Sequence, residues 1–191
     1  MIAVQRTVVF DRPLTYDDLA GMPDDGNRYE VIGGELLVNP APRRDHQEIV
    51  SNLNWILESF LRSSGFARVY THPVDLWFGP NDIVEPDLVV ILEQRLDTYR
   101  PEGMVIEPPD LVVEVLSPST RGTDRVRKMA LYARSGVPEY WIADPDQRAL
   151  KIHVLEGGQY GPVAPDNGGK LASRVLEGLR VDPVEVFARL D

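Results

Sequence analysis

Two acids in this chain sit where acids are costly. Glu114 lies inside Leu111-Val-Val-Glu-Val-Leu116, and an unpaired carboxylate in an apolar strand carries a heavy desolvation penalty. Strand alternation puts Leu111, Val113 and Val115 on one face and Val112, Glu114 and Leu116 on the other. Glu114 is then either an edge-strand side chain reaching solvent or a carboxylate aimed at a cation. Asp87 repeats the pattern in Val84-Glu-Pro-Asp-Leu-Val-Val-Ile91, where an acid after proline also reads as an ordinary turn residue. Neighbouring strands lie about 5 Å apart, so if these two pair, their acids can share one divalent ion. Magnesium suits such a pair, because it takes one or two protein carboxylates and fills its shell with water and phosphate. Pro109-Asp110 repeats the Pro-Asp step and reads as a strand-entry turn.

A cation for the same chemistry is offered by Lys128. Of the 20 basic residues only three are lysines, Lys128, Lys151 and Lys170, and the other 17 are arginines. In that background a lysine marks a place for a compact ammonium instead of a planar fork. Lys128 stands one helical turn after Asp124 and one before Tyr132, on one side of a helix. It is either half of a surface pair with Asp124 or the donor for a phosphate. Arg121, Arg125, Arg127, Lys128 and Arg134 face the single acid Asp124 in this stretch. It reads as a phosphate-facing patch or as a solvated charged face.

The bulk composition narrows the field. A length of 191 residues with 43% hydrophobic and 26% charged side chains suits one globular domain. The formal charge of −10 argues against a non-specific nucleic-acid coat, since such a chain repels polyanions at long range. It leaves room for an enzyme whose carboxylates hold metal. Without cysteine there are no disulfides, no thiolate zinc and no thiol nucleophile. His46, His72 and His153 lack paired spacing, so any metal is a hard one on oxygen ligands, magnesium or manganese. Residues 1–10 are too short and polar for a signal peptide, and no apolar run approaches membrane length, so a cytoplasmic protein with no membrane partner is expected.

The elements that must position these residues follow from local signals. Thr15 with Asp18 three residues on reads as a capped short helix. Gly33-Gly34 between 28–32 and 35–38 reads as a two-residue hairpin. Residues 43–64 carry Ile49, Leu53, Ile56, Leu57, Phe60 and Leu61 at helical spacing, with His46 one turn ahead. Strands are expected at 74–78, 83–92, 111–116, 139–143 and 150–155, with a Gly157-Gly158 turn. The proline-rich loop 93–109 is expected to border the site. A helix should run from Thr123 or Asp124 to Gly136, and a last one should start at Asp182-Pro183. Strands in the middle with helices before and after predict an α/β (α+β) fold, a central mixed sheet flanked by helices.

Taken in order, the motifs resemble something known. Pro86-Asp87 on one strand and Glu114-Val-Leu116 on the next resemble the P-D…(D/E)-x-K signature of the restriction-endonuclease-like superfamily. More closely, the chain resembles the Uma family of endonucleases, long known as a domain of unknown function. The matching stretches are Arg28-Tyr-Glu-Val-Ile-Gly-Gly-Glu-Leu, Pro42 with His46, Glu85-Pro-Asp-Leu-Val-Val, and Pro109-Asp-Leu-Val-Val-Glu-Val-Leu-Ser-Pro-Ser-Thr. Asp124-x3-Lys128-x3-Tyr132 and Gly136-Val-Pro-Glu-Tyr-Trp-Ile-Ala-Asp-Pro follow. The resemblance covers Leu14 to about Pro145, so a restriction-endonuclease-like domain is expected over 14–191, after an extension over 1–13.

The resemblance implies Asp87 and Glu114 as metal ligands, with the Val115 carbonyl completing the protein's share of magnesium or manganese. The superfamily lysine should stand at 116, where this chain has Leu116; Lys128 looks like a replacement carried on a neighbouring helix. Glu35 is implied as a further acid at the metal, and His46 either touches the site or packs. The implied reaction is metal-assisted hydrolysis of a phosphodiester in nucleic acid, DNA before RNA, with Arg121, Arg125 and Arg127 as phosphate contacts. Cutting two strands would favour a homodimer. The competing class is a nucleic-acid-binding or assembly module that keeps the fold without catalysis. A metal-free carboxylate hydrolase of sugars is a third, for which Trp77 is the one evident aromatic platform.

Overall fold

The computed structural model describes residues 5–71, 73–118 and 120–190. Met1 to Val4 of the N-terminal extension, His72, Ser119 of the Ser-Pro-Ser-Thr stop and Asp191 lie outside the described residues. In chain order the elements are β1 (Arg6–Val8), α1 (Tyr16–Leu19), β2 (Arg28–Ile32), β3 (Glu35–Asn39), α2 (Arg44–Ser64) and β4 (Ala67–Thr71). Next come β5 (Asp75–Gly79), β6 (Asp82–Val84), β7 (Leu88–Leu92), a 3₁₀ segment Glu93–Thr98, β8 (Met104–Val105) and β9 (Leu111–Val115). A π-helical segment Thr123–Lys128 runs into α3 (Met129–Ser135), followed by β10 (Glu139–Asp144), β11 (Ala149–Glu156), β12 (Gln159–Pro162), β13 (Leu171–Ala172), β14 (Arg180–Val181) and α4 (Pro183–Val186).

These strands form mixed sheets with few helices against them, in one domain. One six-stranded sheet runs β1-β3-β2-β6-β5-β8, a second runs β12-β11-β10-β9-β7-β4, and β13-β14 make a small ribbon. The expected mixed-sheet architecture with flanking helices is present, divided between two large sheets, and the reason for the division lies at Glu85-Pro86-Asp87. The apolar run 83–92 reads as one strand, yet it splits into β6 in the first sheet and β7 in the second. Pro86 has no N–H to give a ladder, so pairing stops there and the chain crosses between sheets.

The faces explain the packing. In β7, Leu88 and Val90 join α2's Ile49, Leu53, Leu57 and Leu61 in one apolar core. Val89 and Ile91 join Val112, Leu116, Leu131, Tyr132 and Tyr140 in the other. α2 buries one stripe and ends at Gly65 with φ 69°, the left-handed stop that glycine supplies. Gly33 and Gly34 have φ 61° and 79°, as a type I′ hairpin turn requires. A side chain at Gly34 would also place its Cβ 2.5 Å from Pro13 Cβ. Thr15 N–H donates to Asp18 at 2.8 Å, and Val184 N–H donates to Asp182 at 2.9 Å, so both expected helix starts carry a cap. Arg6–Val8 of the extension pairs antiparallel with β3. Loop 93–109 does not border the site as expected: its strand β8 pairs parallel with β5 at the edge of the first sheet. Trp77 packs with Leu14, Val31 and Ile83 instead of offering an open platform. Among the described residues no helix is long and apolar enough to cross a membrane.

Candidate active site

β7 and β9 run antiparallel with Leu88 opposite Val113 and Val89 opposite Val112. One step further along that register, Asp87 falls opposite Glu114, and alternation puts both on the face that holds Val89 and Val112. Because β7 begins at Leu88, the N–H of Val115 has no strand partner there. The Asp87 carboxylate takes it instead, with Oδ2 accepting from Val115 N at 2.7 Å. The N–H and C=O of one strand residue point to the same side, so the Val115 carbonyl also turns toward Asp87.

Asp87 forms the floor of a cleft of about 1040 Å³. Arg28, His46, Glu85, Ser117 and Asn39 also line it. Arg28 donates to Asp87 Oδ1 at 3.1 Å, and His46 Nε2 lies 3.2 Å from the same oxygen. Burial alone raises the Asp87 pKa, but His46, Arg28 and the Val115 N–H outweigh it and hold the carboxyl well below its usual range. The helix α2 brings His46 here because its first turns line the cleft while its buried stripe packs on the second sheet.

Glu114 and Lys128 lie one layer deeper, each 1% exposed, and neither lines the cleft. Lys128 Nζ donates to Glu114 Oε1 at 2.8 Å, and the Tyr132 hydroxyl donates to the same oxygen at 2.8 Å. Leu116 shares the face of Glu114 and packs with Tyr132 and Tyr140. The ammonium thus arrives from the helical segment that covers this face. The segment is π-helical where it carries Asp124 and Lys128, a distortion that recurs at functional sites.

Glu30 completes the layer, and the sequence reading missed it. Its side chain is buried; Lys128 Nζ lies 2.8 Å from Oε1, Asn39 Nδ2 donates to Oε2 at 2.6 Å, and Glu85 N donates to Oε1 at 2.8 Å. The signal was present: Glu30 stands between Tyr29 and Val31 in a strand, the same cost that singled out Glu114. Glu35, the acid expected here, sits at the other end of that hairpin and pairs with Arg127 at 2.8 Å. Asp124 is 1% exposed instead of being half of a surface pair, 3.8 Å from Lys128 Nζ. Tyr132 and Arg28 were named as motif residues only, with no role at the acids.

The basic stretch is not the open cationic face it was expected to be. Arg121 donates to both Asp144 oxygens, at 2.8 and 3.0 Å. Arg125 donates to Asp144 at 2.6 Å, and Arg127 to Glu35 and the Ile32 carbonyl. The chain's own acids already hold these three guanidinium groups.

In the deeper layer burial raises Glu30, but Lys128, Arg28 and the Glu85 N–H outweigh it and lower its pKa like that of Asp87, whereas Glu114 and Asp124 shift the other way. Burial pushes Glu114 up to about 8; Lys128 opposes this, while Asp124, Asp87 and Glu30 reinforce it. Burial likewise raises Asp124 to about 6 against the pull of Lys128 and a bond from Thr120. Lys128 is held protonated, because its three acid neighbours outweigh its burial. Four carboxylates, Glu30, Asp87, Glu114 and Asp124, face two permanent cations, Arg28 and Lys128. Glu114, pushed up to about 8, holds a proton at neutral pH that an incoming divalent ion would displace. No three acids or histidines among the described residues converge to hold a metal by themselves, so an ion here would take two carboxylates plus water and phosphate oxygens, as magnesium does. The donor set is all hard oxygen, and it fits.

Comparison with known proteins decides the family. A family model described as "Uma2: Putative restriction endonuclease" matches residues 15–185. The chain belongs to the Uma2 family. It is similar to an uncharacterized protein of Synechocystis sp., with 26% identity over 117 residues; the match spans 60% of this chain and 65% of that relative. Its fold is also that of a crystal structure titled a putative nuclease belonging to DUF820 from Anabaena variabilis. That likeness has a TM-score of 0.75 and 21% identity, and covers 92% of this chain and 98% of the other.

Proposed function

We propose that this Uma2 protein is a metal-dependent endonuclease that hydrolyses phosphodiester bonds of DNA. One observation carries the proposal: Asp87 and Glu114 stand opposite each other in register on one face of adjacent strands, and Asp87 lines an open cleft. Asp87, Glu114 and the Val115 carbonyl would hold magnesium or manganese. Such an ion, when bound, makes a neighbouring water acidic and offsets charge on a phosphate.

The chain's own groups do the rest. Asp87 stays ionised at neutral pH because His46, Arg28 and the Val115 N–H stabilise its charge. Arg28 and His46, at the cleft surface beside it, are placed to donate to a phosphate drawn in by the ion. Lys128 does not touch the cleft; its part is to offset Glu114 from below. Arg121, Arg125 and Arg127 can engage a nucleic-acid backbone only by exchanging Asp144 or Glu35 for phosphate. A symmetric dimer would bring two such clefts to the two strands of a duplex.

The test is calorimetric titration with Mg²⁺ and Mn²⁺, together with cleavage of labelled single- and double-stranded DNA and RNA. Metal binding that Asp87→Ala removes, along with metal-dependent cleavage of DNA, is the expected result. Binding of DNA without cleavage under any metal would favour the assembly-module function, and absence of metal binding would sink the endonuclease.

A further inference from the structure

Helix α2 has three faces. Ile49, Leu53, Leu57 and Leu61 are buried in the core it shares with the second sheet. Its three acids, Asp45, Glu48 and Glu58, lie elsewhere on its surface, and none of them lines the cleft. The stripe that does line it is Arg43, His46, Gln47, Val50, Ser51 and Asn54, spaced as one face of a helix. This stripe carries no acid, in a chain that has 30 of them. The acids of the cleft, Asp24, Asp75, Glu85 and Asp87, come from other segments. Gln47, Ser51 and Asn54 follow each other at i, i+4 and i+7, a row of neutral donors and acceptors about 10 Å long. Among the described residues none of these three side chains is held by a hydrogen bond. Asn52, one step round the helix, is by contrast committed to the carbonyls of Val186 and Ala188. A second wall of the cleft is made by Tyr16, Leu19, Met22 and Tyr29, all half-buried. The Tyr29 hydroxyl donates to Asp25 at 2.9 Å, which fixes its ring.

We propose that α2 is a base-reading helix: Gln47, Ser51 and Asn54 read the bases of an unpaired DNA strand whose phosphate lies at Asp87. The chemistry at that phosphate rests on the endonuclease proposal, but the reading of bases does not. Arg28 and His46 beside Asp87, with Arg43 one turn ahead of the row, give the backbone its cationic contacts. From there the row spans the rise of three stacked nucleotides at about 3.4 Å each. Glutamine and asparagine pair two-pronged with N6 and N7 of adenine, and a serine hydroxyl suits any base edge, so adenine is the preferred base. The aromatic and apolar second wall offers faces on which bases stack, as in proteins that hold single strands. A duplex does not suit this surface. A helix about 10–12 Å across reads a duplex by lying in a major groove about 12 Å wide. One side of α2 is packed in the core and its polar row faces a cleft walled again by residues 16–29. Only bases that leave the duplex reach such a row. A single strand also suits a chain of charge −10 whose Arg121, Arg125 and Arg127 are already held by acids, because it carries less charge per length than a duplex.

The experiment measures fluorescence anisotropy of short labelled oligothymidine strands carrying a central run of adenines or of cytosines, and of the duplex of the adenine strand. It is done in EDTA, so that neither metal binding nor cleavage enters. Wild type should bind the adenine strand more tightly than the cytosine strand and more tightly than the duplex. Gln47 is exposed and Asn54 half-buried, so replacing either by alanine does not empty the core. Gln47→Ala and Asn54→Ala should each cut the adenine-over-cytosine ratio by about 5-fold or more, with little change for a strand of thymine alone. Glu48→Ala, next in sequence but outside the cleft, should leave that ratio unchanged. A wild type indifferent to base, a tighter hold on duplex than on single strand, or variants that lose affinity equally for every sequence each overturn the proposal. Base preference as expected with no cleavage under Mg²⁺ or Mn²⁺ upholds it and removes the nuclease. Metal-dependent cleavage that ignores base and both substitutions overturns it and leaves the nuclease standing.

Discussion

The cleft floor and the layer beneath it are built from the same carboxylate chemistry, and Asp87 in the one and Glu114 in the other end in opposite states. Asp87, at the cleft floor, accepts hydrogen bonds from Arg28 and a backbone N–H, lies beside His46, and is held ionised. Glu114, on the next strand, has the Tyr132 hydroxyl and an ammonium it shares with Glu30 and Asp124, and is pushed up to about 8. Both are buried, so depth is not the difference. What differs is the number of donors per acid, and that ratio decides which carboxylate waits as an anion and which holds a proton until a cation arrives.

Breaking the deep layer should have the largest effect. Lys128→Met removes the ammonium that faces three buried acids, and losing one partner of a buried pair costs about 3–5 kcal/mol. Chemical denaturation without metal should show a loss of that size. Next comes the open layer. Asp87→Ala should reduce Mg²⁺ affinity by at least ~10²-fold, beyond the range seen when a ligand's supporting partner is lost. Stability should change far less, and metal-free DNA binding should hold or improve as a negative charge goes.

The opposite pKa directions give a sharper test. Glu114 and Asp124 are raised, so between the unfolded value near 4 and their folded values of about 8 and about 6 the native state binds more protons. The stability they confer is full at acid pH and is lost as pH rises, by on the order of 1.4 kcal/mol per pH unit for each group. Asp87 is lowered, so its contribution is present above about pH 4 and lost only as pH falls below that. Denaturation of metal-free protein from pH 5 to 8 should therefore show declining stability, and Mg²⁺ should flatten the slope. A rise over that range would mean Glu114 is ionised throughout.

Smaller effects follow. Tyr132→Phe deletes a 2.8 Å donor to Glu114 and should cost about 1–3 kcal/mol, because a buried acceptor loses a bond. It should also weaken Mg²⁺ binding at neutral pH by raising Glu114 further. Arg125→Ala should change stability by less than about 1 kcal/mol, since Arg125 is 36% exposed and Arg121 stays on Asp144. If that variant instead costs most of the DNA affinity, Arg125 leaves Asp144 for phosphate on binding.

Much of this was legible in the sequence, and each part had a local cause. Gly33-Gly34 turned a hairpin because two consecutive residues without Cβ accept positive φ. The long helix came from apolar spacing, and the acids at 87 and 114 stood out because carboxylates are expensive in apolar strands. Lys128 stood out by its rarity among arginines. Alternation along 111–116 even set the face of Glu114, which packing then used.

What the tertiary structure decided depended on distant residues. No local pattern says that 83–92 divides between two sheets at Pro86, because the split exists only where β2 and β9 supply different partners. The hairpin offers Glu30 and Glu35 alike, and only the packing of the helix over that face puts Lys128 against Glu30 and Arg127 against Glu35. The arginines of the basic stretch read as a surface until β10 ended at Asp144 beside them. A sequence sets each side chain's charge and the face it takes. Which other charges lie within 3 Å of it is settled by long-range packing, and at that distance the neighbours determine whether an acid is a ligand, a counter-ion or a proton carrier.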